Sequence, residues 1–507
     1  MMSPALTIYV EKLNETYLRI SADEGILRSL SEQFVFQVPG YRHMPSYRSG
    51  QWDGYIRLFN EINGLLYVGL FSKVFHFAKE NNYPLEYVQN ELYHKPFYKG
   101  KVSDEVLDSF IKSLQVQSDG EDLDTRDYQI EAIRASLENR RITLVSPTAS
   151  GKSYIIYALI RWYLEEDRKI LLIVPTTSLV EQMYADFRDY STANGFDVEE
   201  NAQILYSGKS KVLSTNVMIT TWQSIQDEKK GFFEQFTVVI GDEAHGFKAN
   251  KLKSIMEKCI YCDVRIAMTG TMPKDQSQIL TISGLFGSVY EVISTRALMD
   301  LGFISDLDIT CILLNYDHDT AKMIAKNKFD YKAEIDYIVT NENRNKRIAN
   351  LAANLKGNTI VIFNFVEKQG KPLYDMLKDT DNKNVYFIHG SVKVAERERI
   401  RLEAKDIDNG LYIVSFGTFS TGINMPSIQN IIIASPVKSN IRLLQSIGRG
   451  LRLFKGKEKC NLYDIGDNFK ATPKSKNNIT LNHYISRIGI YDEQQFSYRI
   501  KEVEFHG

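Results

Sequence analysis

Three short stretches place together the side chains that phosphoryl chemistry needs. The first is Ser146-Pro147-Thr148-Ala149-Ser150-Gly151-Lys152-Ser153, which follows the apolar run Ile142–Val145 and opens a helical pattern. Backbone amides at such a turn and at a helix N-terminus cradle phosphate. Lys152 adds positive charge, and the Ser153 hydroxyl is a candidate Mg²⁺ ligand. Ser146, Thr148, Ser150 and Gly151 are the other candidate contacts, although the strict pattern has Gly where Ser146 stands. The second stretch, Gly241-Asp242-Glu243-Ala244-His245, ends the apolar run Phe236–Ile240. An acid at the carboxyl end of a buried strand, here Asp242, can hold Mg²⁺, and its neighbour Glu243 can orient and deprotonate a water. The third is Gln445-Ser446-Ile447-Gly448-Arg449-Gly450-Leu451-Arg452, on a predicted helix. Arg449 and Arg452 lie three apart and so share a face, and a planar guanidinium fork suits a terminal phosphate better than an ammonium does.

The elements that must carry these residues follow from periodicity. Between about residue 120 and 300, continuous apolar runs (Ile142–Val145, Ile170–Val174, Ile204–Tyr206, Val217–Thr220, Phe236–Ile240, Arg265–Thr269) alternate with helical stretches such as Lys152–Glu165 and Ser178–Tyr190. Strands without polar alternation are buried on both faces, which predicts a parallel sheet covered by helices. The rhythm restarts after residue 300 with Thr359–Phe363, Val385–Ile388, Leu411–Ser415, Asn430–Ala434 and Asn461–Ile465, and no repeat aligns residue by residue. The first 115 residues differ: Phe34–Val38, Tyr55–Phe59 and Leu65–Val68 read as strands, Asn60–Gly64 as a hairpin loop, and Ser72–Asn81 as a helix. The expected organisation is an α/β protein with a small α+β domain at 1–115, a phosphate-binding α/β domain at 116–300 and a second α/β domain at 301–507. The form of the segment past 470 is left open.

Composition narrows the setting. A chain of 507 residues exceeds one ordinary domain, and 43% hydrophobic with 25% charged residues excludes a disordered or fibrous chain. The 62 Lys+Arg balance 63 Asp+Glu, so any polyanion must be held by a local face rather than by overall basicity. No apolar run is long enough to span a bilayer, the first residues lack a secretory pattern, and four cysteines are too few for a disulfide framework. A soluble protein of a reducing cytoplasm, the host's if the source is viral, with no membrane partner, is expected.

In this order the three stretches, with others along the chain, resemble the superfamily-two helicases and translocases with a DEAH box. Thr125-Arg126-Asp127-Tyr128-Gln129 resembles the adenine-reading motif ahead of the phosphate loop, which makes Arg126, Tyr128 and Gln129 expected nucleotide contacts. Pro175-Thr176-Thr177 and Thr220-Thr221-Trp222-Gln223 resemble first-domain strand-binding motifs, and Thr269-Gly270-Thr271 the motif that links hydrolysis to strand movement. Ile362-Phe363-Asn364, His389-Gly390 and Gly417-Thr418-Phe419-Ser420-Thr421-Gly422-Ile423-Asn424 resemble the remaining second-domain motifs.

The resemblance spans about 120–465 and implies two tandem RecA-like doubly wound domains that bind ATP and Mg²⁺ between them. Lys152, Asp242, Glu243, Gln445, Arg449 and Arg452 would then serve hydrolysis, with Gly422 near the nucleotide and Arg452 completing the site on closure. Thr176, Thr177, Thr221, Trp222, Asn364, Thr418, Ser420 and Thr421 would grip the nucleic-acid backbone. With its aromatic N-terminal part, the whole chain resembles the recombination helicases of T-even bacteriophages. That likeness implies a monomeric DNA-dependent ATPase that remodels branched DNA: forks, four-way junctions and R-loops with their RNA–DNA hybrids. It further implies roles in recombination, repair and replication, with single-strand-binding or recombination proteins as partners.

Other features read more plainly. Cys259-Ile260-Tyr261-Cys262 has half-zinc spacing without a second pair and is read as structural, and no histidine shows metal-ligand spacing. Tyr41-Arg42-His43, Arg48 and Trp52-Asp53-Gly54-Tyr55-Ile56-Arg57 interleave basic and aromatic residues and form a candidate branch-recognition surface. A double-strand translocase, an RNA helicase, or an ATP-gated annealing protein would share much of this pattern.

Overall fold

The computed structural model describes residues 6–90, 93, 99–206, 211–244, 249–326, 330–422, 425–438, 443, 447–455, 457–472 and 474–506. His245, Ile423, Asn424 and Gln445 lie outside the described residues. The chain forms two compact units, Met1–Ile293 apart from the loop residues Pro147–Ser150, and Ser294–Gly507.

The first unit begins with β1 (Ile8–Lys12), β2 (Tyr17–Ser21), β3 (Val35–Gln37), β4 (Tyr55–Arg57), β5 (Leu65–Tyr67) and β6 (Leu85–Val88). β5-β2-β1-β6 make one sheet and β3-β4 a separate ribbon. The expected hairpin across Asn60–Gly64 is therefore not formed, for its two flanking strands belong to different sheets. β4 pairs antiparallel with β3, and β5 with β2. Only a single bridge, Asn60 to Leu65, survives across the loop. Alternation alone missed β1 and β2, whose inward residues Ile8, Val10, Leu18 and Ile20 are fully buried.

After a two-residue ribbon, β7 (Gln117–Ser118) with β8 (Glu121–Asp122), come β9 (Arg141–Val145), β10 (Ile170–Val174), β11 (Ala202–Leu205), β12 (Val217–Thr221), β13 (Val238–Gly241), β14 (Val264–Thr269) and β15 (Ser288–Glu291). They form one sheet, ordered β11-β12-β10-β13-β14-β9-β15, in which every pairing is parallel. β10 and β12 are buried along their whole length, as strands covered on both faces must be.

The N-terminal strands share a core with this sheet, since Ile8, Leu18 and Phe34 belong to the same apolar cluster as Ile173, Met218 and Ile255. Polar ties reinforce the seam. Arg141 pairs with Glu15 at 2.7 Å, the fully buried Arg265 donates to Thr16 Oγ1 at 2.9 Å, and the Tyr17 and Tyr67 hydroxyls both reach Glu257. At Gly69 a β-carbon would stand 2.1 Å from the Ser283 carbonyl oxygen, so the two parts touch through bare backbone.

The second unit contains β16 (Asp306–Tyr316), β17 (Thr359–Phe363), β18 (Asn384–Ile388), β19 (Gly410–Ser415), β20 (Asn430–Ile433), β21 (Lys459–Asn468) and β22 (Tyr498–Phe505). Again every pairing is parallel, in the order β18-β19-β17-β20-β21-β16-β22. Counted from the first strand of each sheet, both run 3-4-2-5-6-1-7. The two units are repeats in topology although the sequence shows no aligned repeat.

The segment past 470 completes this sheet, with the helix Ile479–Glu493 leading into the edge strand β22. That helix is fastened by Glu334, a fully buried carboxylate that accepts from Asn478 Nδ2 (2.6 Å), Ile479 N (3.1 Å), Thr480 N (2.8 Å) and the Thr480 hydroxyl. A carboxylate at a helix N-terminus satisfies amides that have no partner within the helix and faces the positive end of its dipole. Glu334→Ala should lower the stability of the second unit by about 2–4 kcal/mol in urea unfolding, because several buried donors lose their acceptor at once. Asp336→Ala, on the same helix but in an exposed pair with Lys368, should change it by less than about 1 kcal/mol.

Candidate nucleotide and nucleic-acid sites

Because the strands are parallel, all their carboxyl ends lie on one edge of each sheet, and the loops there are neighbours in sheet order. In the first unit β13, β14 and β9 are adjacent, and they end in Asp242, Gly270 and Ser146. Three motifs separated by as many as 124 residues thus meet on consecutive strands.

The phosphate loop leaves β9 with Ser146 N donating to Thr269 O at 2.9 Å, and Ser150 Oγ donates to Pro147 O at 2.6 Å. Two residues take left-handed backbone, Ala149 (φ 69°) and Gly151 (φ 83°). The helix Lys152–Glu165 follows with Gly151 as its N-cap and no side-chain cap bond, so its first amides are available to an anion. Lys152 and Ser153 are its first two residues. Gln129 is buried against this turn: a β-carbon at Gly151 would lie 2.2 Å from Gln129 Nε2. The Gln129 carbonyl oxygen in turn accepts from Arg126 N at 3.0 Å, and Arg126 donates to the Tyr128 hydroxyl at 2.8 Å. The expected adenine-side residues and the phosphate loop are therefore in contact.

Lys152 Nζ donates to Glu243 Oε1 at 3.0 Å, both side chains being mostly buried. Gly270 N donates to Glu243 Oε2 at 3.4 Å, and a β-carbon on Gly270 would come within 3.2 Å of Lys152 Nζ. A side chain there would press on the ammonium, which would have to give by a few tenths of an ångström. Asp242 N donates to Ile173 O (2.9 Å), and Asp242 Oδ1 accepts from Glu243 N (2.9 Å), which takes a left-handed φ of 49°. Burial, and secondarily the neighbouring Glu243, push the Asp242 carboxyl up to about 7, against the pull of Lys152.

Crowded, buried acidity of this kind favours a cation, so the residues fit Mg²⁺. Among the described residues no group of three or more metal-binding side chains occurs. A cation here would rely on Asp242, the Ser153 hydroxyl, phosphate and water, the mode Mg²⁺ prefers.

The other half of the same edge carries the expected strand-binding turns. β12 and β10 are adjacent, with Val174 opposite Thr221, and Gln223 Nε2 ties the two turns by donating to Pro175 O at 3.2 Å. Thr176 caps the helix Thr177–Tyr190, its hydroxyl accepting from Leu179 N at 3.3 Å, and Thr177 is exposed. Thr221 is buried with its hydroxyl on Ser224 (2.8 Å), and Trp222 packs half-buried on the core.

In the second unit the corresponding strands are β17 and β19. Asn364 follows β17, is exposed, accepts no role in the core, and is fixed by Ser435 Oγ on its amide (2.9 Å) and by Pro436 O (3.3 Å). Thr418 is buried and bonded to Ser415 (2.8 Å), while Ser420, Thr421 and Gly422 lie on the helix Phe416–Gly422.

Arg449 lies within the helical residues 447–450, but Arg452 follows them in a bend, so the two do not share a helix face as expected; both are half-buried before β21. Their turn is held by Lys457, which is 5% exposed and donates to Pro426 O (3.0 Å), Arg452 O (3.1 Å) and Gly450 O. Burial holds the Lys457 pKa below the ordinary lysine value. Upstream of the arginines, Arg344 donates to Ala434 O (2.8 Å) and Arg487 to Val437 O (2.9 Å). Sequence reasoning missed all three cations, since a lone basic residue at the end of a strand or on a helix carries no signal of its own.

Contact between Gly151 and Gln129 makes a checkable prediction. Gly151→Ala should cost about 1–2 kcal/mol of stability through its left-handed backbone. In thermal unfolding, combining it with Gln129→Ala should cost less than the sum of the single changes, because the clashing amide is gone.

Similarity to known proteins follows the same boundaries. Residues 122–274 match the family described as type III restriction enzyme, res subunit, and residues 343–454 match the helicase conserved C-terminal domain. Residues 8–88 match the N-terminal domain of the DNA helicase UvsW. The chain is 32% identical to the ATP-dependent DNA helicase uvsW of Enterobacteria phage T4 over 96% of its own length and 98% of that protein's. The crystal structure of T4 UvsW superposes on 98% of this chain and 99% of its own, with a TM-score of 0.52 and 30% identity. The fold is also shared with the helicase MrfA solved bound to DNA, at 15% identity, with 80% of this chain and 56% of that one covered and a TM-score of 0.54. Tandem motor domains and a UvsW-type N-terminal domain, aligned end to end with the phage enzyme, make this chain a member of the UvsW family of ATP-dependent DNA helicases.

Proposed function

We propose that this helicase acts on branched DNA, including forks, four-way junctions and R-loops, in recombination, repair and replication, and that it uses the residues above in the following roles. The Gly151 turn and Lys152 hold the phosphates of ATP. Ser153 and Asp242 hold Mg²⁺, which when bound supplies charge to the phosphates. Glu243, paired with Lys152, is freed to take a proton from water once a phosphate oxygen engages that ammonium. Arg449 and Arg452 of the second unit contribute positive charge to the transferring phosphate. Thr176, Thr177 and Asn364 meet the nucleic-acid backbone, and the buried Thr221 and Thr418 shape the turns beside them. Hydroxyls and amides at such turns hold phosphates without reading bases, which suits a chain of net charge −1 that moves along any sequence.

The observation that carries this reading is the shared strand order. In both sheets the second and fourth strands are adjacent and end in hydroxyl- or amide-bearing turns, whereas the phosphate loop follows the first strand of the first sheet alone. Two equivalent grips and one fuel site are what a stepping motor requires.

Branch recognition falls to the β3–β4 ribbon. Between residues 38 and 57 stand three arginines against one acid, Asp53. Tyr41 packs edge-on against Tyr47 at 4.6 Å and is closed over by Gly54, where a β-carbon would fall 2.4 Å from its ring. Arg42, His43, Arg48 and Tyr55 are left exposed around that small core.

Strand displacement on forks, four-way junctions, RNA–DNA hybrids and blunt duplex tests the proposal. Unwinding should be confined to the branched substrates and the hybrids. Lys152→Ala and Arg452→Ala should each lower the ATPase kcat about 10³-fold or more, and Glu243→Gln about 10²-fold or more. Arg42→Glu combined with Arg48→Glu should weaken fork binding while the ATPase on single strands stays within twofold. ATPase stimulated equally by blunt duplex, without strand displacement, would instead mark a double-strand translocase.

A further inference from the structure

A cavity of about 530 Å³ lies in the first unit, at the amino-terminal edge of its sheet and thus opposite the phosphate loop. Its floor is the start of β9 and β14, with Arg140, Arg141 and Asp263, and its walls are Lys12 at the end of β1, Glu15 just past it and the aromatic residues Phe71, Phe75 and Tyr87. The volume is that of a small-molecule pocket.

Two features define what it would take. The first is charge. Lys12, Lys99, Arg140 and Arg141 line it against Glu15 and Asp263 only. Both carboxylates are already engaged, Glu15 by Lys12 and Arg141 at 2.7 Å each, and Asp263 by Arg140 at 2.7 Å and by Arg168. The lining therefore keeps an excess of positive charge, and burial pulls the Lys12 pKa down, a sign that its ammonium is poorly solvated there. The second is aromatic surface. Phe75 is 46% exposed and Tyr87 45% exposed, on either side of Phe71, whose ring centre is 6.4 Å from the one and 5.7 Å from the other. Exposed rings beside an anion-seeking floor are the two halves of a nucleotide site, with the base against the rings and the phosphate over the cations. A space of this size suits a single nucleotide turned out of its stack.

We infer that this cavity holds one unpaired nucleotide of a DNA strand, as a nucleic-acid contact separate from the turns at the carboxyl edge. The inference rests on the helicase reading and adds to it. A motor that grips its track at one edge of the sheet would hold the loose strand of a branch at the other. Arg141 opens the strand that ends in the phosphate loop, so the two edges are joined by the five residues of β9.

The test uses the full chain and a fork carrying 2-aminopurine in its single-stranded arm. Stimulation of the wild-type ATPase by this fork, measured first, keeps a failure of the helicase reading apart from a failure of the cavity. Phe75→Ser combined with Tyr87→Ser alters only exposed side chains, and an unchanged ATPase without DNA reports an intact fold. The wild type should change the 2-aminopurine fluorescence on binding. The double variant should lose that change and bind the fork about 10-fold or more weakly, since stacking of one base is worth about 1–3 kcal/mol. Lys99→Glu should weaken binding as well, with a smaller dependence on salt. Fork binding within twofold of wild type with the fluorescence change intact would overturn the inference. So would a cavity that binds free dAMP, with loss in the double variant, while fork binding is untouched.

Discussion

Parallel pairing throughout both large sheets is the constraint from which the rest of this molecule follows. In a parallel sheet every carboxyl end lies on one edge, so loops from distant parts of the chain are brought side by side at the strand spacing of about 4.8 Å. Along the first sheet that edge reads Thr221, Thr176, Asp242, Gly270, Ser146, in the order β12-β10-β13-β14-β9. The proposed track contacts occupy one half of the edge and the proposed nucleotide contacts the other. The bond from Asp242 N to Ile173 O lies at their boundary, directly before the Pro175 turn. A shift of the nucleotide side is thereby one strand away from the turns proposed to grip the track.

Charges inside the second unit serve loops more than core. Arg344 and Asp467 form a fully buried pair, as do Arg487 and Asp464. Buried pairs of this kind are weak sources of net stability, because desolvation offsets most of their attraction. Their spare donors, however, fix the carbonyls of Ala434 and Val437, and Gln369 bonds both Ala434 O (3.3 Å) and the Ser435 hydroxyl that holds Asn364. Lys457 does the same for the turn that bears Arg452. Irregular backbone next to the working residues is thus held by ionised side chains whose own interactions are saturated. Arg487 comes from the C-terminal helix, so the segment past 470 belongs to the motor rather than trailing from it.

The N-terminal part is a fixture of the first unit, since it shares that unit's apolar core and is pinned by Glu15, Thr16 and Glu257. Its removal would take Glu15 and Thr16 from Arg141 and Arg265 and uncover the Ser283 backbone, and point changes on its surface are the cleaner probe of what it contributes. What it offers outward is the arginine-bearing ribbon on one side and the Phe75 and Tyr87 rings on another.

Features encoded by neighbours in sequence could be read without the fold. The phosphate loop, the acid pair after β13 and most central strands depend on local spacing or on unbroken apolar runs, and the structure places them within a residue or two of where the sequence puts them, whereas the helix expected to carry both Arg449 and Arg452 ends before Arg452. Features that depend on which strand lies beside which could not. Leu65–Tyr67 joins β2 instead of folding back on β4, β16 and β22 flank one another across nearly 200 residues, and Gln129 meets Gly151 through space rather than along the chain. Sequence by itself determined the chemistry available and the class of fold, because both are written in spacings of a few residues. Only the tertiary structure decided the shared strand order, the role of the C-terminal helix and the cations behind the arginine turn, because each is set by packing between segments whose separation in sequence carries no information about their separation in space.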